Sequence, residues 1–294
     1  MEVSIIIVNY NTVSLLCDAV DSVLEKTTNL SYEIIVVDNN SSDNSENIIP
    51  EKYGEKITFL KLPKNIGFGR ANNEGMKIAK GEKLFLLNPD TVLRNNAVKI
   101  LSDYMNKHPK VGVCGGNLFD AEGNPTHSFM PVFPSIFWEI NFLFYSIPFK
   151  LIWGKHYGFN KTGKARKVAY ITGADMMIRK EITEKTSGFD PDFFMYGEET
   201  EWTFRIKKLG YQVVSVPQAE IIHLEGKSFS IDFVKAQMIQ SGINLFYRKT
   251  RGSFYRFVVN MIFRITAISR ILIFTITNGK EKRNLWIYTL KNIK

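Results

Sequence analysis

The sequence predicts an α/β fold built on a doubly wound, mainly parallel sheet, and three observations predict it. Short apolar, β-branched runs alternate with helical stripes through the first 115 residues. Polar clusters close those runs, as they do along the carboxyl edge of a parallel sheet. Hydrophobic residues make up 45% of 294 positions, enough to bury one large core.

Residues 5–8 open as a strand, and Leu15, Leu16, Ala19, Val20, Val23 and Leu24 then recur at helical spacing. Residues 34–37 read as a second strand. Ser41, Ser42 and Asp43 are N-cap candidates for a helix running toward Tyr53. A third strand is expected at 57–60, a helix at 71–79 closed by Gly81, and a fourth strand at 84–87. A helix near 97–105 and a strand at 111–114 complete the rhythm. Residues 116–134 lose their period and read as loops and short strands. Residues 135–153 are dense in aromatics, from Phe137 to Trp153, and core packing under loops is favoured over a binding wall or a membrane-dipping segment. Strands at 168–171 and 176–178 flank Gly173 and Ala174. Residues 199–209 read as a helix stopped by Gly210, with strands at 211–216 and 221–224. The expected organisation is 1–115, 116–229 and a helical, basic extension at 230–294.

The net charge of +9 is unevenly placed. Residues 246–294 hold 11 Lys/Arg against the single acid Glu281, whereas residues 1–245 hold 27 Lys/Arg against 28 Asp/Glu. Basicity therefore belongs to the tail. The apolar run at 254–277 is interrupted by Arg256, Arg264 and Arg270, so a spanning helix is not expected. Arginines within an apolar helix fit an interfacial anchor on an anionic membrane surface. Packing on the rest of the chain and a homodimer contact are the alternatives. Aliphatic side chains dominate, so no nucleic acid partner is expected. Cys17 and Cys114 lie far apart without metal-ligand spacing, and no basic leader precedes the first strand. Both features predict reduced thiols in a cytoplasmic setting.

Three polar clusters carry chemistry. In Asn88-Pro89-Asp90 an apolar strand ends in one carboxylate, an oxygen ligand for Mg²⁺ or Mn²⁺. Asn9 and Asn11 end the first strand and Asp38 the second, where hydrogen bonds to a nucleoside would be made. Residues 65–75 form a glycine-bearing loop entering a helix, a site for an anion that Arg70 would reinforce.

These segments, in this order and spacing, resemble the family 2 glycosyltransferases of the GT-A fold, nearest to their bacterial rhamnosyltransferase-like branch. Residues 3–11, 34–43 and 65–75 are similar to that branch's donor-side motifs, and Asn88-Pro89-Asp90 to its form of the DxD metal motif. The resemblance extends through Gly173-Ala174-Asp175 and the run from Gly188 to Arg205. It implies an inverting transferase that takes a sugar from a UDP- or dTDP-linked donor to a glycan or lipid-linked acceptor in cell-surface polysaccharide synthesis. Donor contacts would come from Asn9, Asn11, Asp38, Asn40, Asn65, Gly67, Arg70, Asn72 and Asn88. Asp90 and His223 would hold Mg²⁺ or Mn²⁺. Gly173, Ala174, Asp175 and Trp202 would face the acceptor. The general base would be Glu199, where Asp is usual, with Glu198 beside it and Glu201 as a rival that helix-dipole pairing explains better. After His223 the chain carries Glu225 and Lys227 where the family has small residues. A lipid-linked acceptor would put the protein at the inner face of the cell membrane. Two rivals remain: a sugar-nucleotide-binding membrane scaffold with a decayed site, which Asn88 and Glu199 favour, and a sugar nucleotidyltransferase, which would want a G-x-G-T-R loop where Asn9-Tyr10-Asn11 stands.

Overall fold

In this computed structural model residues 1–154, 157–224 and 232–291 are described. The chain begins β1 (Val3–Asn9), α1 (Val13–Lys26), β2 (Tyr32–Asp38) and α2 (Ser45–Tyr53). It continues β3 (Thr58–Lys61), α3 (Phe68–Ile78), β4 (Lys83–Leu87), β5 (Thr91–Leu93) and α4 (Ala97–Lys107). Next come β6 (Val111–Phe119), β7 (Phe129–Met130), α5 (Ile136–Leu143) and α6 (Ile147–Trp153). Then follow β8 (Arg166–Lys167), β9 (Tyr170–Ile171), β10 (Asp175–Arg179), α7 (Lys180–Thr186), α8 (Glu198–Lys208) and β11 (Gln212–His223). Three helices end the chain: α9 (Asp232–Thr250), α10 (Ser253–Ile276) and α11 (Lys280–Lys291).

The main sheet runs β3-β2-β1-β4-β10-β6-β11-β5, with β8 on β11, and β7 pairs β9 separately. Its first four strands are parallel, and β6 and β11 form a second parallel pair. β10 enters antiparallel between β4 and β6. That insertion decides where the polar strand ends meet. Asn9 lies opposite Asp38, Ile7 opposite Leu87, and Leu87 opposite Asp175. The tips of β1, β2 and β4 and the entry to β10 therefore share one edge.

Both sheet faces are covered, as a parallel sheet requires. Alternation along each strand sends Ile5, Ile7 and Val36 to one face with Leu16 and Leu101, and Ile6, Val8 and Val37 to the other with Met76 and Trp202. In α1 the buried residues Leu16, Ala19, Val20 and Val23 follow the expected stripe. Each such aliphatic side chain contributes about 1.5–3 kcal/mol on burial.

Several local expectations are revised. β11 is one strand, not two; its register shifts between Ser215 and Glu220, where Pro217 cannot donate to the ladder. The N-cap position of α2 is Asn44 rather than Ser41, Ser42 or Asp43. Asp43 serves two helices: Oδ1 accepts the Ser45 amide that opens α2 at 3.3 Å, and Oδ2 accepts the Val13 amide at the start of α1 at 2.8 Å. The chain divides into two compact units, Met1–Pro131 with Gly158–Ser230, and Val132–Tyr157 with Ile231–Lys294. Residues 135–153 thus cluster with the C-terminal helices. They are not simply core: Phe149 is buried, whereas Phe137, Phe142 and Phe144 are exposed. α10 is long and apolar enough to cross a membrane by length and composition.

Candidate functional site

The tips of β1 and β2 and their loops are tied together by short polar side chains. Asn9 donates to Asp38 Oδ1 and Ser41 Oγ, both at 3.0 Å, while its own oxygen accepts from Thr12 Oγ1 at 2.8 Å. Asp38 also accepts from Ser45 Oγ and the Ser41 amide. Asn9 and Asp38 are both 0% exposed. The structure therefore sets them beneath the loops, which they shape. Asn11 and Asn40 are exposed, each at positive φ (57° and 66°), and Asn11 Oδ1 accepts the Ser42 amide at 2.7 Å.

A residue that sequence reasoning passed over joins this edge to the glycine loop. Asn39 donates to Asn65 Oδ1 at 2.9 Å and accepts the Ile66 amide at 2.9 Å, while Asn65 Oδ1 also accepts the Gly67 amide. Its signal was its place beside Asp38 at a strand end. Gly67 stands at φ +89°, and a Cβ there would run into the carbonyl oxygen of Phe194, which accepts the Phe68 amide. Asn73, also passed over, grips Phe189 through both its amide and its carbonyl. Asn72 is buried and its Nδ2 donates back to the Phe68 carbonyl inside α3. Arg70 donates through Nε to the Pro191 carbonyl at 2.7 Å and lines a groove of about 570 Å³ with Lys77 and Lys180.

At the end of β4, the Asn88 amide donates to the Ala174 carbonyl at 3.0 Å, while Asn88 Oδ1 is buried with no hydrogen-bond partner. Asp90 lies beside His223, Oδ1 to Nε2 3.3 Å, because β5 pairs antiparallel with β11 and the Leu224 amide bonds the Asp90 carbonyl. The expected pair is thus brought together. A carboxylate oxygen, an imidazole nitrogen and an orphaned amide oxygen suit a divalent cation such as Mg²⁺ or Mn²⁺. Among the described residues no three His, Cys, Asp or Glu gather. Glu225 and Lys227 lie outside the described residues.

The acids at the start of α8 have separate environments. Glu199 is half-buried; Gly197 N and Thr200 Oγ1 donate to its two oxygens at 3.2 Å. Burial raises its pKa against those hydrogen bonds. Glu198 is buried, its Oε2 lacks a partner, and burial with the adjacent Glu199 charge holds it well above the usual carboxylate range. Glu201 is clamped by Arg205 at 2.8 and 2.9 Å and is a structural acid. Just before them Tyr196 and Gly197 take φ of 67° and 94°, an uncommon conformation for an aromatic residue. Gly173 faces this end: a Cβ built on it would meet Phe68 and Glu199 at 3.8–3.9 Å.

The other expected acceptor-side residues point inward. Ala174 is buried, with its carbonyl on Asn88. Asp175 is 0% exposed, accepts the Gly116 amide at 2.5 Å, and is raised well above its ordinary pKa by burial. Trp202, also 0% exposed, packs on Phe189 at 4.5 Å and donates to Thr186 Oγ1. It belongs to the core, because it lies one turn beyond buried Glu198 on the same face of α8.

Comparison with known proteins gives the family and the fold. The chain is 28% identical over 239 residues to the O-antigen biosynthesis protein RfbC of Myxococcus xanthus, covering 79% of this chain and 18% of that protein. It is 24% identical over 232 residues to an N-acetylglucosaminyl-diphospho-decaprenol L-rhamnosyltransferase of Mycobacterium tuberculosis, covering 71% and 72% respectively. The crystal structure of GalNAc-T7 with UDP, GalNAc and Mn²⁺ superposes with a TM-score of 0.62 at 17% identity, covering 85% of this chain and 51% of that one. That of S. aureus TarS gives 0.56 at 15% identity, covering 95% and 45%. This chain thus spans about half of each solved structure. The glycosyl transferase family 2 profile matches residues 4–186, more than half of the sequence, and the chain belongs to that family, with its GT-A fold.

Proposed function

We propose that this chain is an inverting glycosyltransferase that moves a sugar from a UDP- or dTDP-linked donor to a hydroxyl of a glycan or lipid-linked acceptor during cell-surface polysaccharide synthesis. The observation that carries the reading is the placing of Glu199 against Gly173, one residue from the Ala174 carbonyl that holds the Asn88 segment. A base and a candidate metal site are thereby joined through one short backbone segment. The names of the relatives support the acceptor class: one is a rhamnosyltransferase on a diphospho-decaprenol, another an O-antigen biosynthesis protein.

In this mechanism Glu199 takes the proton of the acceptor hydroxyl as that oxygen forms its bond to the anomeric carbon. The bond from the anomeric carbon to the diphosphate breaks, the leaving group keeps the electron pair, and one displacement inverts the centre. No covalent enzyme intermediate is needed. Burial and the neighbouring Glu199 charge raise the pKa of Glu198, which disfavours a second negative charge beside the base. Asp90, His223 and Asn88 Oδ1 would hold Mg²⁺ or Mn²⁺, which when bound supplies positive charge beside the diphosphate. Asn11, Asn40 and Asn65 are placed for donor contacts, with Asn9 and Asp38 supporting their loops from below. A lipid-linked acceptor puts the protein at the inner face of the cell membrane.

The test is Glu199→Gln. Transfer should fall by about 10²–10⁴-fold, while the thermal shift induced by donor and Mn²⁺ stays at the wild-type value. Near-normal turnover would remove Glu199 from the role.

A further inference from the structure

We propose that the open face of α10 is a seat for an anionic lipid bilayer, on which the helix lies flat in the interface. This deepens the membrane placement proposed above and is independent of the transfer chemistry. α10 is apolar on two opposite sides. One side is buried: Val259, Phe263 and Ala267 face inward with Arg270, whose guanidinium donates to the carbonyls of Phe142 and Leu143. Opposite it Phe257, Met261, Ile265, Ile268, Leu272 and Ile276 are all exposed, Ile276 by 85%. Their spacing of three and four residues puts them in one stripe about 100° wide along a helix of roughly 36 Å. A soluble helix hides one apolar face; this one shows a second.

Charge selects the occupant. Arg248, Lys249 and Arg251 precede the helix, Lys280, Lys282 and Arg283 follow it, and exposed Arg264 flanks the stripe. A spanning helix would leave these two basic clusters on opposite sides of the membrane, against the one-sided distribution of such residues. It would also carry into hydrocarbon the face that holds Arg270. A second copy of this chain would bring basic ends onto basic ends in either orientation. An anionic surface answers both clusters at once while taking up the stripe between them. α5 in the same unit is built alike: Glu139 and Asn141 are buried while Phe137, Ile140 and Phe142 are exposed.

The full chain, with no donor or acceptor present, is sedimented with vesicles of phosphatidylcholine alone and of equal parts phosphatidylcholine and phosphatidylglycerol. Binding is expected to the second only and to weaken with salt. Phe257→Glu, Ile265→Glu and Leu272→Glu should each lower it about tenfold or more, with donor-induced thermal shifts unchanged. Equal binding to both vesicles, or to neither, overturns the proposal. So does resistance to alkaline carbonate extraction, the mark of a span, or a lipid-free dimer that the same substitutions dissociate. Failure of Glu199→Gln to block transfer would overturn the enzyme reading and leave this one standing.

Discussion

At Gly67 a single hydrogen atom in place of a side chain holds the glycine loop against the segment that carries the acids. The φ of +89° and the Phe194 carbonyl behind it leave no room for a Cβ. Gly67→Ala should therefore cost about 1–3 kcal/mol in backbone strain and abolish the donor-induced thermal shift, read by calorimetry with and without donor. The acid pair makes a second prediction. A base acts deprotonated, so kcat/KM should rise with pH through the raised pKa of Glu199, with its acid limb above the ordinary value of 4.5. Glu198→Gln removes a charge that burial already disfavours and should stay within a few-fold of wild type, unlike Glu199→Gln. Legible in the sequence was the placing of Asp90 after a strand, His223 at the end of another and Glu199 at a helix start. Which way a side chain turns was not legible: Asn9, Asp38, Asn72, Asp175 and Trp202 are all buried, and a motif names a residue without giving its orientation. For Trp202 the signal existed: buried Glu198, Trp202 and Ile206 fall on one α8 face at intervals of four.

Among the elements, α5 departs furthest from its pattern. Its buried residues are polar because each has a partner: the Tyr247 hydroxyl donates to Glu139 at 2.9 Å, and Asn141 accepts the Phe149 amide. Burial pushes the Glu139 carboxyl up to about 7 from an ordinary 4.5. The folded state thus favours the neutral form. This stabilisation is fully present below pH 4.5 and is lost as pH rises through 7, with a loss of roughly 3 kcal/mol at about 1.4 kcal/mol per pH unit. Near-ultraviolet circular dichroism during urea unfolding should show a slope that is shallower in Glu139→Gln, which keeps an acceptor for Tyr247, than in the wild type; the difference between the two is the Glu139 contribution, since raised Asp175 and Glu198 remain in both. No hydrophobic period could have revealed this helix. Tyr145 and Ser146, at φ of 53° and 61°, also break 135–153 into two helices, with Pro148 in the first turn of the second. The β-α rhythm up to residue 115 was legible because β1, β4 and most of β2 are buried on both faces and so read as unbroken apolar runs. β5 was not, because three residues are too few to show a period.

On the scale of the whole molecule, the chain leaves its catalytic unit after Pro131 and returns at Gly158. The ends of that excursion are close, since the Ser128 and Phe129 amides both bond the Gly158 carbonyl. What the excursion packs on arrives much later in sequence. Tyr247 satisfies Glu139, Tyr255 Oη accepts the Ile136 amide, and Phe133 stacks on Phe246 at 6.3 Å. A chain ending at Leu224 would keep the nine-stranded sheet and every acid of the site, yet would strand α5 and α6 without these partners. It should elute as aggregates and bind a hydrophobic dye. Removing residues 132–157 as well, and joining 131 to 158 through a short Gly-Ser linker, closes a gap the hydrogen bonds already hold shut, so the entropic cost is small. That shorter chain should run as a monomer by size-exclusion chromatography and recover the thermal shift with donor and Mn²⁺. If the first truncation is itself monomeric and dye-silent, the excursion does not depend on the C-terminal helices. If the second fails to recover, the catalytic unit draws its stability from outside its own sheet.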